Sequence, residues 1–153
     1  MSARCATKRA TSLVYLDTSV IVAAITSELE TPNVLLWLKS LRLGESAVSS
    51  WTIAEVSSAI MLKFRTGQLT EDERELAFAA WQTMLDSALR CHPVDNSDFQ
   101  AAAVLMRSDN VALRAGDALH LAIARRLRIE VATLDRAMNA AAQKLGMVAH
   151  IAR

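Results

Sequence analysis

Residues 13–25 read LVYLDTSVIVAAI, a short apolar run, then Asp17, then a second apolar run. The first run predicts a buried strand at residues 12–16, and the segment from residue 18 onward predicts a helix that begins beside Asp17. A buried strand that leads directly into a helix is typical of parallel α/β sheets. The carboxylate of Asp17 should therefore emerge at the carboxyl end of a strand, where open α/β sheets place their sites.

The rest of the chain repeats this alternation of strands and helices. Further strands are predicted at 47–49, 90–94, 131–134 and 147–151, and helices at 32–44, 51–65, 70–85, 95–106, 118–127 and 136–145. Thr70 and Glu73 form a capping box, while Ser50 and Asp95 are predicted helix caps. The sequence thus predicts a three-layer α/β/α sandwich with a central, mainly parallel sheet. We expect a single domain at residues 12–153, preceded by a flexible arm at residues 1–11.

Composition favours the same class of protein. The 153 residues are 52% hydrophobic but only 5% aromatic, so Ala, Leu, Val and Ile must fill the core. Apolar stretches such as residues 20–25 fall far short of the ~20 residues that a bilayer span needs. The basic N-terminus lacks the apolar centre of a secretory signal, so we expect a cytoplasmic protein without membrane association. Cys5 is expected to be a thiol in the arm, and Cys91 a buried strand thiol.

The charge of the chain is unevenly distributed. The formal net charge is +1, yet residues 100–153 carry 8 Lys and Arg against 4 Asp and Glu. Six arginines surround the segments that hold Asp117 and Asp135: Arg107, Arg114, Arg125, Arg126, Arg128 and Arg136. This excess suits a phosphate-bearing partner. For Arg125, Arg126 and Arg128, at a predicted helix C-terminus, the alternative is capping of that helix.

Four acidic residues occupy similar local positions: Asp17, Glu55, Asp117 and Asp135. Each lies at the end of an apolar run or within an apolar helical stripe, in the strings LVYLDTSVIV, WTIAEVSSAI, LRAGDALHLA and VATLDRAM. Taken singly, Asp17 and Asp135 suit helix N-caps, and Glu55 suits a buried ion pair with a distant arginine. Together, the four predict an acidic cluster at one end of the sheet.

Clustered carboxylates repel one another unless a cation compensates their charge. Mg²⁺ and Mn²⁺ are hard ions that accept carboxylate oxygens and retain waters for phosphate chemistry. The sequence holds no phosphate-binding glycine loop, no nucleophile elbow and no CxxC pair. The pattern therefore predicts phosphate chemistry carried out by a metal-activated water.

The chain resembles the PIN domain, and more narrowly the VapC-type ribonuclease toxins of toxin–antitoxin pairs. The strings YLDTSVIV, AEVSSAI, RAGDALHLAIA and ATLD follow the family's order and spacing, and the likeness spans residues 13–151. The resemblance implies a PIN-like α/β/α fold and a Mg²⁺- or Mn²⁺-dependent endoribonuclease that cleaves structured or single-stranded RNA.

The same resemblance assigns roles to individual residues. It implies that Asp17, Glu55, Asp117 and Asp135 surround one or two metal ions and carry the catalysis, with Ser19 and Thr133 as supporting hydroxyls. Family members are also homodimers, inhibited by a cognate antitoxin whose tail reaches the active-site groove. Arg114, one turn before Asp117, is expected either to orient an acid or to contact a phosphate. His120 is expected to be a packed or hydrogen-bonded core residue.

Other functions remain open from the sequence. A PIN-like module that binds RNA or protein without cleaving is the main alternative. A phosphatase with an aspartyl nucleophile would need an acid two residues after Asp17, where Ser19 stands. A phosphorelay receiver would need an acidic pair after the first strand and a late lysine at a strand end, and neither is evident.

Overall fold

A computed structural model describes residues 13–152 and contains one five-stranded sheet. Its strands are β1 (Val14–Leu16), β2 (Ser46–Ser49), β3 (Leu89–His92), β4 (Glu130–Thr133) and β5 (Ala149–Ile151). They lie in the order β3-β2-β1-β4-β5, and every neighbouring pair is parallel. The prediction of a central parallel sheet is confirmed. The predicted arm at 1–11, with Cys5, lies outside the described residues.

Seven helices cover the sheet within residues 13–152. They are α1 (Thr18–Ile25), α2 (Thr31–Ser40), α3 (Ser50–Arg65), α4 (Glu71–Ser87), α5 (Asn96–Met106), α6 (Ala115–Leu127) and α7 (Arg136–Lys144). Two hydrophobic clusters form, one built largely with α1 to α4 and the other with α5 to α7. The three-layer α/β/α sandwich follows from these two clusters.

Alternation along β1 separates the two clusters. Val14 and Leu16 belong to the first, whereas Tyr15 between them belongs to the second. Successive side chains of a strand point to opposite faces, so a fully buried strand contributes to both layers. All three residues of β1 are buried, as the apolar run predicted.

Most helix ends follow the expected capping chemistry, with one shift of a residue. Thr70 and Glu73 form the predicted capping box of α4. The cap of α3 is Ser49 rather than the predicted Ser50, because the Ser49 hydroxyl accepts from the backbone N–H of Thr52. The α6 helix begins at Ala115, which places Asp117 in its first turn rather than at its start.

Cys91 corrects a prediction made from hydropathy. The thiol is exposed, not buried, because β3 lies at the edge of the sheet and pairs only with β2. An edge strand has less cover from the flanking helices than a central one.

Among residues 13–152, no helix is long and apolar enough to cross a membrane.

The strand order creates a crevice between β1 and β4. Strands β2 and β3 follow β1 along the chain and lie on one side of it, whereas the later strands β4 and β5 lie on its other side. Such a reversal of strand order is where open α/β sheets bind ligands, at the carboxyl ends of the strands. Asp17 follows β1, and Leu134 and Asp135 follow β4, so both chain segments enter this crevice.

Candidate active site

Asp17 lies at the floor of the crevice with 4% of its surface exposed. Its Oδ1 accepts hydrogen bonds from Ser19 Oγ at 2.6 Å and from the backbone N–H of Val20 at 3.2 Å. Its Oδ2 accepts from Thr133 Oγ1 at 2.6 Å. Burial raises the pKa of Asp17, although these donors oppose the shift. The carboxylate is thus both an N-cap of α1 and a buried group held by two hydroxyls.

The two predicted supporting hydroxyls also order the turn after β4. Ser19 Oγ accepts from the backbone N–H of Leu134 at 2.9 Å, and Thr133 Oγ1 accepts from the backbone N–H of Asp135 at 2.9 Å. Each hydroxyl donates to Asp17 and accepts from the β4 turn, so both of its roles are filled. Ser19 and Thr133 therefore join the two strands at their carboxyl ends.

Asp135 is exposed at the mouth of the crevice. Its Oδ1 accepts from the backbone N–H of Met138 at 2.9 Å, which makes it the N-cap of α7. The capping function that the sequence suggested for Asp135 is thus present. Capping engages Oδ1 and leaves the residue at the open edge of the sheet, beside Thr133.

Asp117 lies half-buried in the first turn of α6. Burial raises its pKa against the lowering effect of the Arg114 backbone amide, and the negative charges of Asp135 and Asp17 raise the pKa further. Asp117 is therefore repelled by two of the other three predicted acids. Such mutual repulsion is the electrostatic signature of carboxylates that share a site.

Glu55 reaches the same end of the sheet from α3, but it has its own partners. Its Oε2 accepts from Thr18 Oγ1 at 2.5 Å and lies 2.6 Å from His120 Nε2. Burial raises the pKa of Glu55, but the hydrogen bonds from His120 and Thr18 outweigh it, so the pKa is lowered overall. The distant arginine partner that the sequence allowed for is absent from the described residues, and His120 takes its place.

Gly116 leaves room for Glu55. A Cβ atom at Gly116 would lie 2.7 Å from Glu55 Oε1, closer than side chains normally approach. The glycine of the GDALH string therefore has a steric role, because the carboxylate of Glu55 packs against its backbone. Oε2 is held by hydrogen bonds and Oε1 is confined by Gly116.

His120 and Tyr15 are site residues whose connection to Glu55 the sequence reasoning missed. His120 is buried as predicted, with Nδ1 2.8 Å from the Tyr15 hydroxyl and Nε2 against Glu55. The available signal was the position of His120 one helical turn after Asp117 in GDALH. Tyr15 gave no signal of its own, because an aromatic residue in a buried strand suits the core equally well.

The arginines divide into structural and unpaired groups. Arg126 donates to both carboxylate oxygens of Asp98 at 2.7 and 2.9 Å, and to the carbonyl of Pro93. It joins α6 to α5, which is neither the helix capping nor the phosphate contact considered from the sequence. Arg114 and Arg136 are exposed beside Asp117 and Asp135, and neither makes an ion pair among residues 13–152.

A groove of about 470 Å³ opens beside Asp135, the member of the four predicted acids that lines it. Thr18 and Ser19 also line the groove, and Glu28 and Glu30 add two further acidic side chains. Glu28 is paired with Lys63 at 2.7 Å, so part of that charge is compensated. The groove therefore connects the crevice to the surface.

The acids match a hard divalent cation in donor chemistry but are not arranged around one. All four offer carboxylate oxygens, and the mutual repulsion at Asp117 is what a cation would relieve. Within residues 13–152, however, no group of three or more His, Cys, Asp or Glu side chains is placed to hold a metal ion. Asp17, Glu55 and Asp135 each direct an oxygen to a protein donor, which leaves the remaining carboxylate lone pairs of these residues for a cation.

Comparison with known families identifies this arrangement. A sequence model of the family described as "PIN domain" matches residues 14–144, which includes the crevice and all four acids. The chain belongs to the PIN domain family. This confirms the resemblance inferred from the LDTS and GDALHLA strings. No curated protein matches the chain in a sequence search.

Solved structures share the PIN fold over nearly the whole chain. VapC20 of Mycobacterium tuberculosis, a toxin that cleaves the sarcin–ricin loop, has a TM-score of 0.67 at 21% identity, covering 88% of this chain and 96% of that one. FitAcB from Neisseria gonorrhoeae has a TM-score of 0.66 at 21% identity, with 91% and 97% covered. VapBC-5, a toxin–antitoxin system of M. tuberculosis, has a TM-score of 0.60 at 20% identity, with 93% and 98% covered.

Proposed function

We propose that this PIN domain is a Mg²⁺- or Mn²⁺-dependent endoribonuclease that hydrolyses RNA phosphodiester bonds. The observation that carries the proposal is the position of Asp17 and Asp135 directly after the neighbouring strands β1 and β4, with Asp117 near enough for both charges to raise its pKa. Three repelling carboxylates reduce the stability of a fold unless they serve a ligand. A divalent cation with a phosphate-bearing substrate is the ligand that suits them.

The acids would have different tasks in this reaction. Asp17 is buried and held by two hydroxyls, so it would be a fixed ligand at the floor of the site. Asp117 and Asp135 lie nearer the open edge, where they would complete the ligand set and face the substrate. Glu55, held by His120, would orient the attacking water. Bound there, the cation supplies charge neutralisation at the phosphoryl oxygen and lowers the pKa of a water.

Electrostatics near the site also suit RNA. Arg114 and Arg136 lie at the N-termini of α6 and α7, each within three residues of one of the acids, and are exposed. Exposed guanidinium groups bind phosphates in a bidentate manner. They would hold the backbone of RNA on either side of the bond that is cleaved.

We further propose that the protein is the toxin of a toxin–antitoxin pair. Structures of the same fold include toxin–antitoxin complexes from Klebsiella pneumoniae and M. tuberculosis. By this likeness the protein would be a cytoplasmic homodimer neutralised by a cognate antitoxin. A small reading frame adjacent to its gene, encoding a DNA-binding protein that co-purifies with this chain and stops cleavage, would support the assignment.

The test of the nuclease proposal compares the wild type with Asp17→Asn and Asp135→Asn. Purified wild type should cleave RNA with Mg²⁺ or Mn²⁺, stop when EDTA is added, and leave sequenceable ends at defined positions. Asp17→Asn should abolish cleavage without unfolding the protein, because it removes a buried charge whose burial is unfavourable. The proposal would be refuted if RNA stays intact with the wild type, or if both variants cut RNA as fast as the wild type does.

A non-catalytic PIN-like module that binds RNA or protein is the second candidate. It is favoured by one observation, the absence of a ready-made metal-binding group among the described residues. Calorimetry with Mn²⁺ separates the two functions. The nuclease proposal predicts a saturable binding isotherm that Asp17→Asn and Asp135→Asn weaken, whereas the binding module predicts no heat of Mn²⁺ binding in any of the three proteins.

A further inference from the structure

A continuous chain of hydrogen bonds runs from the core to the acidic crevice. The Tyr15 hydroxyl lies 2.8 Å from Ser49 Oγ and 2.8 Å from His120 Nδ1. His120 Nε2 then lies 2.6 Å from Glu55 Oε2, which also accepts from Thr18 Oγ1 at 2.5 Å. The hydrogen bonds join β1, which leads into Asp17, to α3 and α6, which carry Glu55 and Asp117.

The chemistry of these groups fixes which nitrogen of His120 carries a proton. A carboxylate is an acceptor only, and at 2.6 Å a bare nitrogen lone pair would repel Glu55 Oε2, so Nε2 must be the donor. In the neutral ring Nδ1 is then an acceptor. The Tyr15 hydroxyl can fill it, while Ser49 Oγ donates to the phenol oxygen at 2.8 Å. In this arrangement each of these polar atoms has a hydrogen-bond partner.

Burial makes the arrangement rigid. Tyr15 is 0% exposed and His120 is 2% exposed, so neither can exchange its partner for water. The Glu55 side chain is 28% exposed and reaches the open edge. Its position is set from inside by His120 and Thr18 and from the other side by Gly116. The inner members therefore act on the site only through Glu55.

We propose that Tyr15 and His120 are positioning residues: Tyr15 holds Nδ1 of the Nε2–H tautomer that Glu55 requires, and His120 thereby orients Glu55 in the crevice. The hydrogen-bonded chain itself is independent of any reaction. Its consequence for RNA cleavage rests on the proposed function. Groups that orient a site carboxylate or histidine through a hydrogen bond are a general device of metal-dependent sites.

The tautomer is tested directly by nitrogen NMR of the ¹⁵N-labelled histidine rings. The chain contains three histidines, and His120→Gln assigns the resonances of His120 by their loss. The wild type should show a protonated Nε2 and an unprotonated Nδ1. Tyr15→Phe should shift the Nδ1 resonance, because Nδ1 loses its hydrogen-bond donor, while Nε2 stays protonated beside Glu55. Ile60→Val, a buried substitution in the other hydrophobic cluster, should leave the resonances unchanged.

Cleavage kinetics test the positioning role. Tyr15→Phe and His120→Leu should lower kcat about tenfold or more with little change in KM, since neither residue reaches the substrate. His120→Gln, whose amide can still donate to Glu55, should retain more activity than His120→Leu. Ile60→Val controls for general loosening of the fold and should keep wild-type kcat.

The two parts of the experiment fail separately. A protonated Nδ1 in the wild type overturns the tautomer assignment, and an Nδ1 resonance that Tyr15→Phe leaves unchanged overturns the role of Tyr15. Wild-type kcat in a folded His120→Leu overturns the positioning role. If the wild type cleaves no RNA, the nuclease proposal fails while the NMR result still decides the tautomer of His120 and its contact with Tyr15.

Discussion

Thr133 on β4 donates a 2.6 Å hydrogen bond to Asp17 at the end of β1, across 116 residues of sequence. The same hydroxyl accepts from the backbone N–H of Asp135, so one side chain connects two of the predicted acids. Thr133 is fully buried at the end of β4, beside β1, where the order of the strands reverses. Thr133 therefore holds the carboxylate of Asp17 and the backbone of Asp135 in fixed positions relative to each other.

Thr133→Val should destabilise the protein, because it removes the donor to a buried carboxylate while keeping the shape of the side chain. The expected loss is about 2 kcal/mol of unfolding free energy, as for other hydrogen bonds to charged groups. Urea unfolding at neutral pH measures it. Thr83→Val is the matched control, since Thr83 is exposed on α4 and bonds only to its own helix. Equal stability of the two variants would contradict this account.

Gly116→Ala should lower stability and cleavage together, because the new Cβ would lie 2.7 Å from Glu55 Oε1. Alanine is otherwise the better helix former by about 1 kcal/mol, so the loss must come from the collision. A double-mutant cycle isolates the effect of this collision. In a Glu55→Ala background, Gly116→Ala should leave the free energy of unfolding in urea unchanged or raise it. A loss of equal size in both backgrounds would show that Glu55 is not the cause.

The Asp98–Arg126 ion pair should make the free energy of unfolding fall as the pH is lowered into the acid range. Burial alone would raise the pKa of Asp98, but Arg126 outweighs it and the pKa is lowered. The contribution of the pair is therefore complete above the ordinary carboxyl value of about 4 and is lost as the pH falls through the lower folded value. Asp98→Ala should cost about 3 kcal/mol at pH 7, and the gap from the wild type should narrow at pH 3.

A surface pair provides the control for Asp98. Glu75 lies 2.7 Å from Arg74, but its side chain is 65% exposed. Glu75→Ala should therefore change stability by less than about 1 kcal/mol at either pH. A difference between the wild type and Asp98→Ala that stays constant from pH 7 to pH 3 would rule out the ionised pair as its source.

RNA affinity should fall with salt, and the unpaired arginines should account for part of that dependence. In an Asp17→Asn background, which prevents cleavage, Arg114→Ala and Arg136→Ala should each reduce the log–log salt slope by about 0.7, the value for one contact to single-stranded nucleic acid. Arg65→Ala is the control, because Arg65 ends α3 roughly 20 Å from its N-terminus at the site. A flat salt response in the parent protein would exclude arginine–phosphate contacts.

The architecture could be predicted because each strand and helix carries its own signal. Apolar runs such as that before Asp17 define buried strands, and Thr70 and Glu73 mark a helix start whatever lies around them. The position of Asp17 and Asp135 at strand ends then follows from the topology. Cys91 shows the limit of this reasoning, since hydropathy does not reveal that β3 is an edge strand.

The partners of the site residues could not be predicted, because pairing is decided in three dimensions. Glu55 was expected to need a cation, yet its partner His120 lies 65 residues away and was assigned to the core. Arg126 was considered for helix capping, whereas it pairs with Asp98 on a neighbouring helix. A sequence indicates that a charge needs a partner, but not which of several candidates the packing brings into contact.

The placement of β4 beside β1 also bears on when the protein becomes competent during synthesis. The strand that completes the crevice, and Asp135 after it, leave the ribosome only after some 130 residues have been translated. Until then β1 has one open side, and Asp17 lacks the Thr133 hydroxyl. We expect a nascent chain to be inert through most of its translation, which would give the cell time to supply an inhibitor before about the last sixth of these 153 residues is made.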